Sequence, residues 1–343
     1  MTIDPHALDE AALGKYLENH VDGFLNLQSI SKFGDGQSNP TYLISAQSGK
    51  YVLRTKPPGK LLKSAHAVDR EFRVMQALQN TDVPVPKMFH LSDEGNPIGR
   101  MFFVMEFLQG RIFWDPKIPE LNNAERGRIY DAMNKTLAAL HSVDVGRVGL
   151  SDYGKPGSYF ERQVSRWSSQ YRASELKSIP QMNELILWLD VNMVEDDGQI
   201  SIVHGDYRID NMIFAENSNN MLGLLDWELS TLGHPLADLA YQCMQWRMPS
   251  EGGIRGFGDV NRSSLGIPTE AEYVEKYCHR RNIGKIENWN FYLAFAFFRL
   301  AAILQGVVKR AEDGNASNPE SRAMMEKAVP FLAQAALDTI EAK

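Results

Sequence analysis

Residues 203–214 read VHGDYRIDNMIF, two apolar arms around His204, Asp206, Arg208, Asp210 and Asn211. Asp206 stands five positions before Asn211, and Asp226 follows Asn211 by fifteen, at the end of the apolar run MLGLLD. Phosphoryl transfer asks for a carboxylate to orient and accept the proton of an attacking hydroxyl, and for hard oxygen ligands to hold Mg²⁺ against nucleotide phosphates. A hairpin turning through FAENSNN would bring Asn211 and Asp226 together, with Asp206 as the base and Asn211 and Asp226 as metal ligands. His204 then buttresses the loop, while Arg208 and Asp210 read as a solvated pair without a role. Taken singly, each Asp or Asn here is more simply a turn residue capping its own backbone. The combination at this spacing carries the reading.

Short β-branched and aromatic runs at 27–33, 40–46, 51–55, 88–91 and 101–107, bounded by Gly, Pro, Asn or Asp, predict a small antiparallel sheet. Val68, Phe72, Met75 and Leu78 recur at helical spacing, so 65–79 is expected as one helix packed on that sheet. Helical patterns dominate from about residue 120. Asn122, Ser158 and Thr269, each followed three residues later by Glu, read as capping boxes. GRIFWDPKIPE (110–120) separates the two textures, placing a boundary near 108, with one domain at 1–108 and another at 109–343.

A chain of 343 residues with 43% hydrophobic content can build a large domain or two lobes. Its net charge of −7, without a run of Lys or Arg, argues against nucleic acid as a partner. Cys243 and Cys278 form no metal or disulfide pattern and suit a reducing compartment. The acidic start lacks the features of a signal or transit peptide, so a cytoplasmic location is expected. The run FYLAFAFFRLAAILQGVV (291–308) is long enough to span a bilayer but carries Arg299 at its middle, and is expected to be a buried helix rather than a membrane span.

HGDYRIDNMIF followed by LLDWELSTLGHPLADLAY resembles the aminoglycoside phosphotransferase family, small-molecule kinases with a protein-kinase-like bilobal fold. The resemblance implies an α+β chain, a sheet-bearing N-lobe and a mainly helical C-lobe, with ATP and Mg²⁺ as cofactors. Asp226 matches the family's metal-binding Asp, with Trp227 and Glu228 after it, and Asp238 matches the helix Asp that anchors the catalytic loop. FGDGQSNPTYLI, YVLRTKPPGKLLKSAHAVDREFRVMQAL, VGLSDYGKPGSYFERQVSRW and QYRASE are similar to the kinase-like domains fused to acyl-CoA dehydrogenases in acyl-CoA dehydrogenase family members 10 and 11, over nearly the whole chain.

Within that resemblance the loop FGDGQSN offers Gly34, Gly36, Gln37, Ser38 and Asn39 to nucleotide phosphates. Asn39 stands where G-x-G-x-x-G would have its third glycine, so a plain glycine hairpin stays open. Arg54 occupies the place of the kinase phosphate-binding lysine; Glu71 is its expected partner, with two solvated charges as the alternative. Met105, Glu106 and Phe107 are the implied adenine hinge. The implied acceptor is a hydroxyacyl-CoA, with an acyl-CoA dehydrogenase as functional partner; dehydrogenase activity is not expected, because nothing resembles a flavin-binding fold. Arg162, Arg166 and Arg172 are candidate cations for CoA phosphates or a solvated face. Two other readings stay open: an aminoglycoside or choline-type kinase with an acid-lined pocket, and a nucleotide-binding module that partners a dehydrogenase without transferring phosphate.

Overall fold

A computed structural model describes residues 8–34, 39–58, 67–251, 254–314 and 322–342. The chain divides into two compact units. The first holds the residues up to Arg111 together with Ile213–Leu229, and the second holds Ile112–Met212 and Ser230 onward.

The first unit opens with α1 (Glu10–His20), whose first turn is capped by the Asp9 carboxylate accepting from Ala12 N. Strands β1 (Leu27–Lys32), β2 (Thr41–Ala46) and β3 (Gly49–Thr55) precede α2 (Val68–Leu78), and β4 (Met88–Ser92) and β5 (Phe102–Glu106) follow it. They form one antiparallel sheet in the order β1-β2-β3-β5-β4. The β2 side chains alternate between full and partial burial, as a strand with one covered face requires. Leu13 and Leu17 of α1 close a core with Tyr42, Ile44, Leu53, Phe102 and Val104. Phe72, Met75 and Leu78 of α2 are buried as their spacing predicts.

The second unit is mainly helical. It contains α3 (Asn123–His141), α4 (Tyr159–Ser174), α5 (Pro180–Val191) and the short β6 (Ser201–Val203). The chain then runs through β7 (Met212–Phe214) and β8 (Met221–Leu224), which pair with each other. It continues as β9 (Thr231–Gly233), antiparallel to β6, and helices α6 (Leu236–Cys243), α7 (Arg262–Leu265), α8 (Glu270–Arg281), α9 (Trp289–Glu312) and α10 (Arg322–Glu341). The apolar window of α9 is 89% buried among its neighbours, with Arg299 inside. It is the one helix among the described residues long and apolar enough to cross a membrane.

Two details differ from the sequence reading. The hairpin through FAENSNN forms, but residues 213–229 group with the first unit rather than with the helices. Arg111 and Phe214 exchange backbone hydrogen bonds of 2.7 and 2.9 Å, and Leu224 N donates to Pro84 O at 2.9 Å. Gly110 permits this approach, since an added Cβ would lie 2.4 Å from Phe214 O. Capping boxes form at Asn122 and Thr269, but not at Ser158. Ser158 adopts φ 42° and makes no side-chain cap, because its N–H is drawn to Asp196 Oδ2 at 2.7 Å.

Candidate active site

The loop between β6 and β7 is built around one buried carboxylate. Gly205, at φ 86°, takes a backbone conformation that a side chain would resist. The N–H groups of His204 and Gly205 therefore converge on Asp238 of α6, donating to Oδ2 at 2.6 Å and Oδ1 at 2.8 Å. Nε2 of His141 lies 3.3 Å from Asp238 Oδ2, and its Nδ1 lies 2.7 Å from the Tyr277 hydroxyl. Burial would raise the Asp238 carboxyl, but His141, His204 and the Gly205 N–H hold it below its ordinary value. His204 is fully buried, and its Nδ1 accepts from Asp206 N at 3.2 Å. The buttressing roles expected of His204 and Asp238 thus correspond to hydrogen bonds that shape the loop.

The loop presents Asp206 with donors on both oxygens. The Tyr241 hydroxyl donates to Oδ1 at 2.7 Å, and Asn211 Nδ2 donates to Oδ2 at 3.0 Å and to the Asp206 carbonyl at 2.9 Å. Arg208 Nε lies 3.4 Å from Oδ1, while its Nη2 pairs with Asp210 Oδ2 at 2.6 Å. Burial acts to raise the Asp206 carboxyl, but Arg208, Tyr241, His204 and Asn211 together keep it below its ordinary range. A carboxylate so held is ionised at neutral pH and fixed in direction. Arg208 and Asp210 pair as expected, but Arg208 also contributes to the Asp206 environment. Tyr241 was not singled out by the sequence reading. It lies one helical turn beyond Asp238, a spacing that places both side chains on one face of α6.

A cavity of about 360 Å³ opens in the second unit beside this loop. Ile209, Met244, Met248 and Leu300 give it apolar walls, with the Tyr241 ring among them; Arg208 and Arg255 supply cations. Trp114, 73% exposed, also lines it. The arginines of α4 do not gather as a phosphate site. Arg162 donates to the carbonyls of Lys155 and Pro156, Arg166 lies over the Trp167 ring, and Arg172 pairs with Glu175.

In the first unit a second polar cluster forms around Arg54 of β3. Its Nε lies 2.9 Å from Glu71 Oε2 on α2, and its Nη2 lies 2.9 Å from Asp226 Oδ1 and 3.7 Å from Glu228 Oε2. Asn39 Nδ2 donates to Glu71 Oε1 at 2.7 Å. Glu71 is 1% exposed, so Arg54 and Glu71 are an internal pair and not two solvated charges. Burial pushes the Glu71 carboxyl up to about 7 against the pull of Arg54, with Asp226 and Glu228 adding to the rise. The planar fork of arginine serves two carboxylates at once through Nε and Nη2, which a lysine ammonium does less readily. Asp226 reaches Arg54 through a turn at φ 64°, a left-handed conformation that Asp tolerates better than most residues. The Trp227 indole is buried and donates to Leu224 O at 2.9 Å.

The other nucleotide candidates are more dispersed. Gly34 has open space around it, with nothing within 4 Å of an added Cβ. Gly36, Gln37 and Ser38 lie outside the described residues. Asn39, expected as a phosphate donor, turns its amide N–H to Glu71. Met105 is buried in β5 opposite Val52. Glu106 N donates to Lys87 O at 2.8 Å, and the Phe107 ring lies under Lys50 Nζ at 5.5 Å.

The sequence model of the phosphotransferase enzyme family, APH, matches residues 29–270. The chain belongs to this family. Among family-like structures, a Ralstonia eutropha protein provisionally assigned as an aminoglycoside phosphotransferase is 45% identical and superposes with a TM-score of 0.89, covering 98% of this chain and 100% of its own. A spectinomycin phosphotransferase crystallised with ADP and spectinomycin shares the fold at 12% identity, with a TM-score of 0.64 over 98% of this chain and 99% of its own. Mouse acyl-CoA dehydrogenase family member 10 is 48% identical over 317 residues, 91% of this chain. The chain spans only 29% of that relative's length. The phosphotransferase family assignment agrees with the kinase-like α+β fold read from the catalytic-loop motif.

Proposed function

We propose that this chain is an ATP-dependent small-molecule phosphotransferase that moves the γ-phosphoryl group to an acceptor hydroxyl. The observation that carries this reading is Asp206, held ionised and oriented by Tyr241 and Asn211 beside a cavity. As the acceptor oxygen bonds to phosphorus, its proton passes to Asp206, and the bond from phosphorus to the bridging oxygen of ADP breaks. Arg54, fixed by Glu71, is the proposed cation for the nucleotide phosphates. Asn211 and Asp226 are the proposed ligands of Mg²⁺. Asn211 commits Nδ2 to Asp206, which leaves its Oδ1 as a hard oxygen of the kind Mg²⁺ takes. Among the described residues no group of three or more His, Cys, Asp or Glu side chains is placed to hold a metal ion. When bound, Mg²⁺ supplies charge neutralisation on the phosphates.

For the acceptor we infer a hydroxyacyl-CoA, in a pathway shared with an acyl-CoA dehydrogenase. The name and sequence of the mouse relative support this, as does the cavity lining. Its walls mix apolar residues with charged ones: Asp210, its one carboxylate, is paired with Arg208, and Arg255 Nη1 lies 4.0 Å from Asp115 Oδ2. A polycationic aminoglycoside would meet only a carboxylate already paired with Arg208, whereas Ile209, Met244, Met248 and Leu300 would accommodate part of an acyl chain.

The test is Mg²⁺-dependent ADP release from ATP with 3-, 4- and 5-hydroxyacyl-CoAs, aminoglycosides and choline as separate acceptors. Stimulation by a hydroxyacyl-CoA alone is expected. Stimulation by an aminoglycoside or choline alone would replace the acceptor, and ATP binding without stimulation by any of them would favour a nucleotide-binding module.

A further inference from the structure

Arg299 is the charge that interrupts the apolar run of α9, and the chemistry above leaves it unused. Its side chain is 5% exposed, and its Nε has no hydrogen-bond partner. A guanidinium stripped of water needs compensation from its surroundings. Its neighbours are rings: the guanidinium carbon lies 5.9 Å from the centroid of Trp167 and 5.9 Å from that of Tyr241. A cation over a ring face is stabilised by the ring quadrupole, more so when both are desolvated. The same cation draws electron density from the phenol and strengthens its O–H as a donor.

Tyr241 connects this buried cation to the catalytic loop. Its hydroxyl donates to Asp206 Oδ1 at 2.7 Å, and its ring forms part of the cavity wall. Burial and the neighbouring carboxylate hold the Tyr241 hydroxyl well above the ordinary tyrosine value, so it remains a donor. One turn earlier on α6, Asp238 holds the backbone of the same loop. The two residues divide the work: Asp238 fixes the main chain and Tyr241 fixes the side chain.

We propose that Tyr241, backed by the buried cation of Arg299, is the positioning residue of the catalytic base. It holds the Asp206 carboxylate in the orientation that meets an acceptor hydroxyl in the cavity whose wall the same ring forms. This gives a role to the one arginine buried within a helix otherwise apolar enough for a membrane. The inference rests on the phosphotransferase reading for its kinetic consequence and on geometry alone for the hydrogen bond.

The experiment compares Y241F, R299M and R299K with the wild-type protein in steady-state turnover, and follows ¹³Cζ-tyrosine resonances without nucleotide. Y241F is expected to lower kcat by about tenfold or more while both KM values stay within about twofold. R299M should lower kcat by about threefold, and R299K should recover most of that loss. The Tyr241 resonance, identified by its disappearance in Y241F, should shift when Asp206→Asn weakens the acceptor of its hydrogen bond. An unchanged kcat in Y241F, or parallel losses in kcat and both KM values, would mark Tyr241 as a packing residue and overturn the proposal. A resonance unmoved by Asp206→Asn would overturn it as well. Should Y241F fail to fold, the arginine variants carry the kinetic arm, and equal losses in R299M and R299K would overturn it. If the wild-type protein phosphorylates no acceptor, the phosphotransferase reading falls, and the resonance alone decides whether Tyr241 holds Asp206.

Discussion

The donors on Asp206 set its chemistry. Replacing Asp206 with Asn keeps the shape but removes the proton acceptor, so turnover should fall by about 10²–10⁴-fold. Nucleotide affinity, measured by calorimetry, should change little, since the proposed phosphate cation is Arg54. Glu71 carries a second consequence, in stability. Its carboxyl is raised from 4.5 to about 7 in the folded protein. The folded state therefore binds its proton more tightly, a contribution fully present below about 4.5 and lost as pH rises through about 7. Glu71→Gln should flatten the change in thermal stability across that window, checked by melting curves at pH 5 and pH 8. The place of Asp206 and Asp238 on the loop and its supporting helix was legible in motifs of fixed spacing, whereas the Asn211 to Asp206 hydrogen bond and the Asp226 pairing with Arg54 were not. The partner of Asn39 was not, because its amide meets Glu71 across 32 positions of chain. Tyr241 stood within a quoted motif, but only the i,i+3 relation to Asp238 marked it, and helical tyrosines are commonly core residues.

Elements were legible where local pattern decides them. The five strands of the first sheet announce themselves by β-branched and aromatic runs between turn residues, and α2 by its apolar stripe. Capping shows where this ends. Thr269 and Asn122 form reciprocal boxes with Glu272 and Glu125, which depend only on residues three apart. Ser158 has the same spacing to Glu161, yet Asp196, 38 positions away, takes its N–H and turns it to φ 42°. Thr269→Ala should therefore destabilise by about 1 kcal/mol, whereas Ser158→Gly should be neutral or slightly stabilising, as measured by denaturant unfolding.

Over the whole molecule, the division into units depends on pairings that no local pattern announces. Residues 213–229 join the first unit through the Arg111–Phe214 bridge and the Leu224 to Pro84 hydrogen bond, both long-range in sequence. The second unit combines the Asp206 loop with a cavity lined by apolar residues and cations. Trp114→Ala, which removes an exposed ring from that lining, should raise the KM for the acceptor severalfold and leave the KM for ATP unchanged in initial-rate assays. The central claim is phosphoryl transfer to a hydroxyl with Asp206 as the base. The most direct measurement is ³¹P NMR of wild-type protein and the Asp206→Asn variant incubated with Mg²⁺, ATP and a hydroxyacyl-CoA. A new phosphomonoester signal growing with ADP in the wild type, and absent from the variant over the same period, is predicted. Equal signals from both proteins would contradict the assignment of Asp206, and a wild-type spectrum showing no phosphomonoester would contradict transfer to that acceptor.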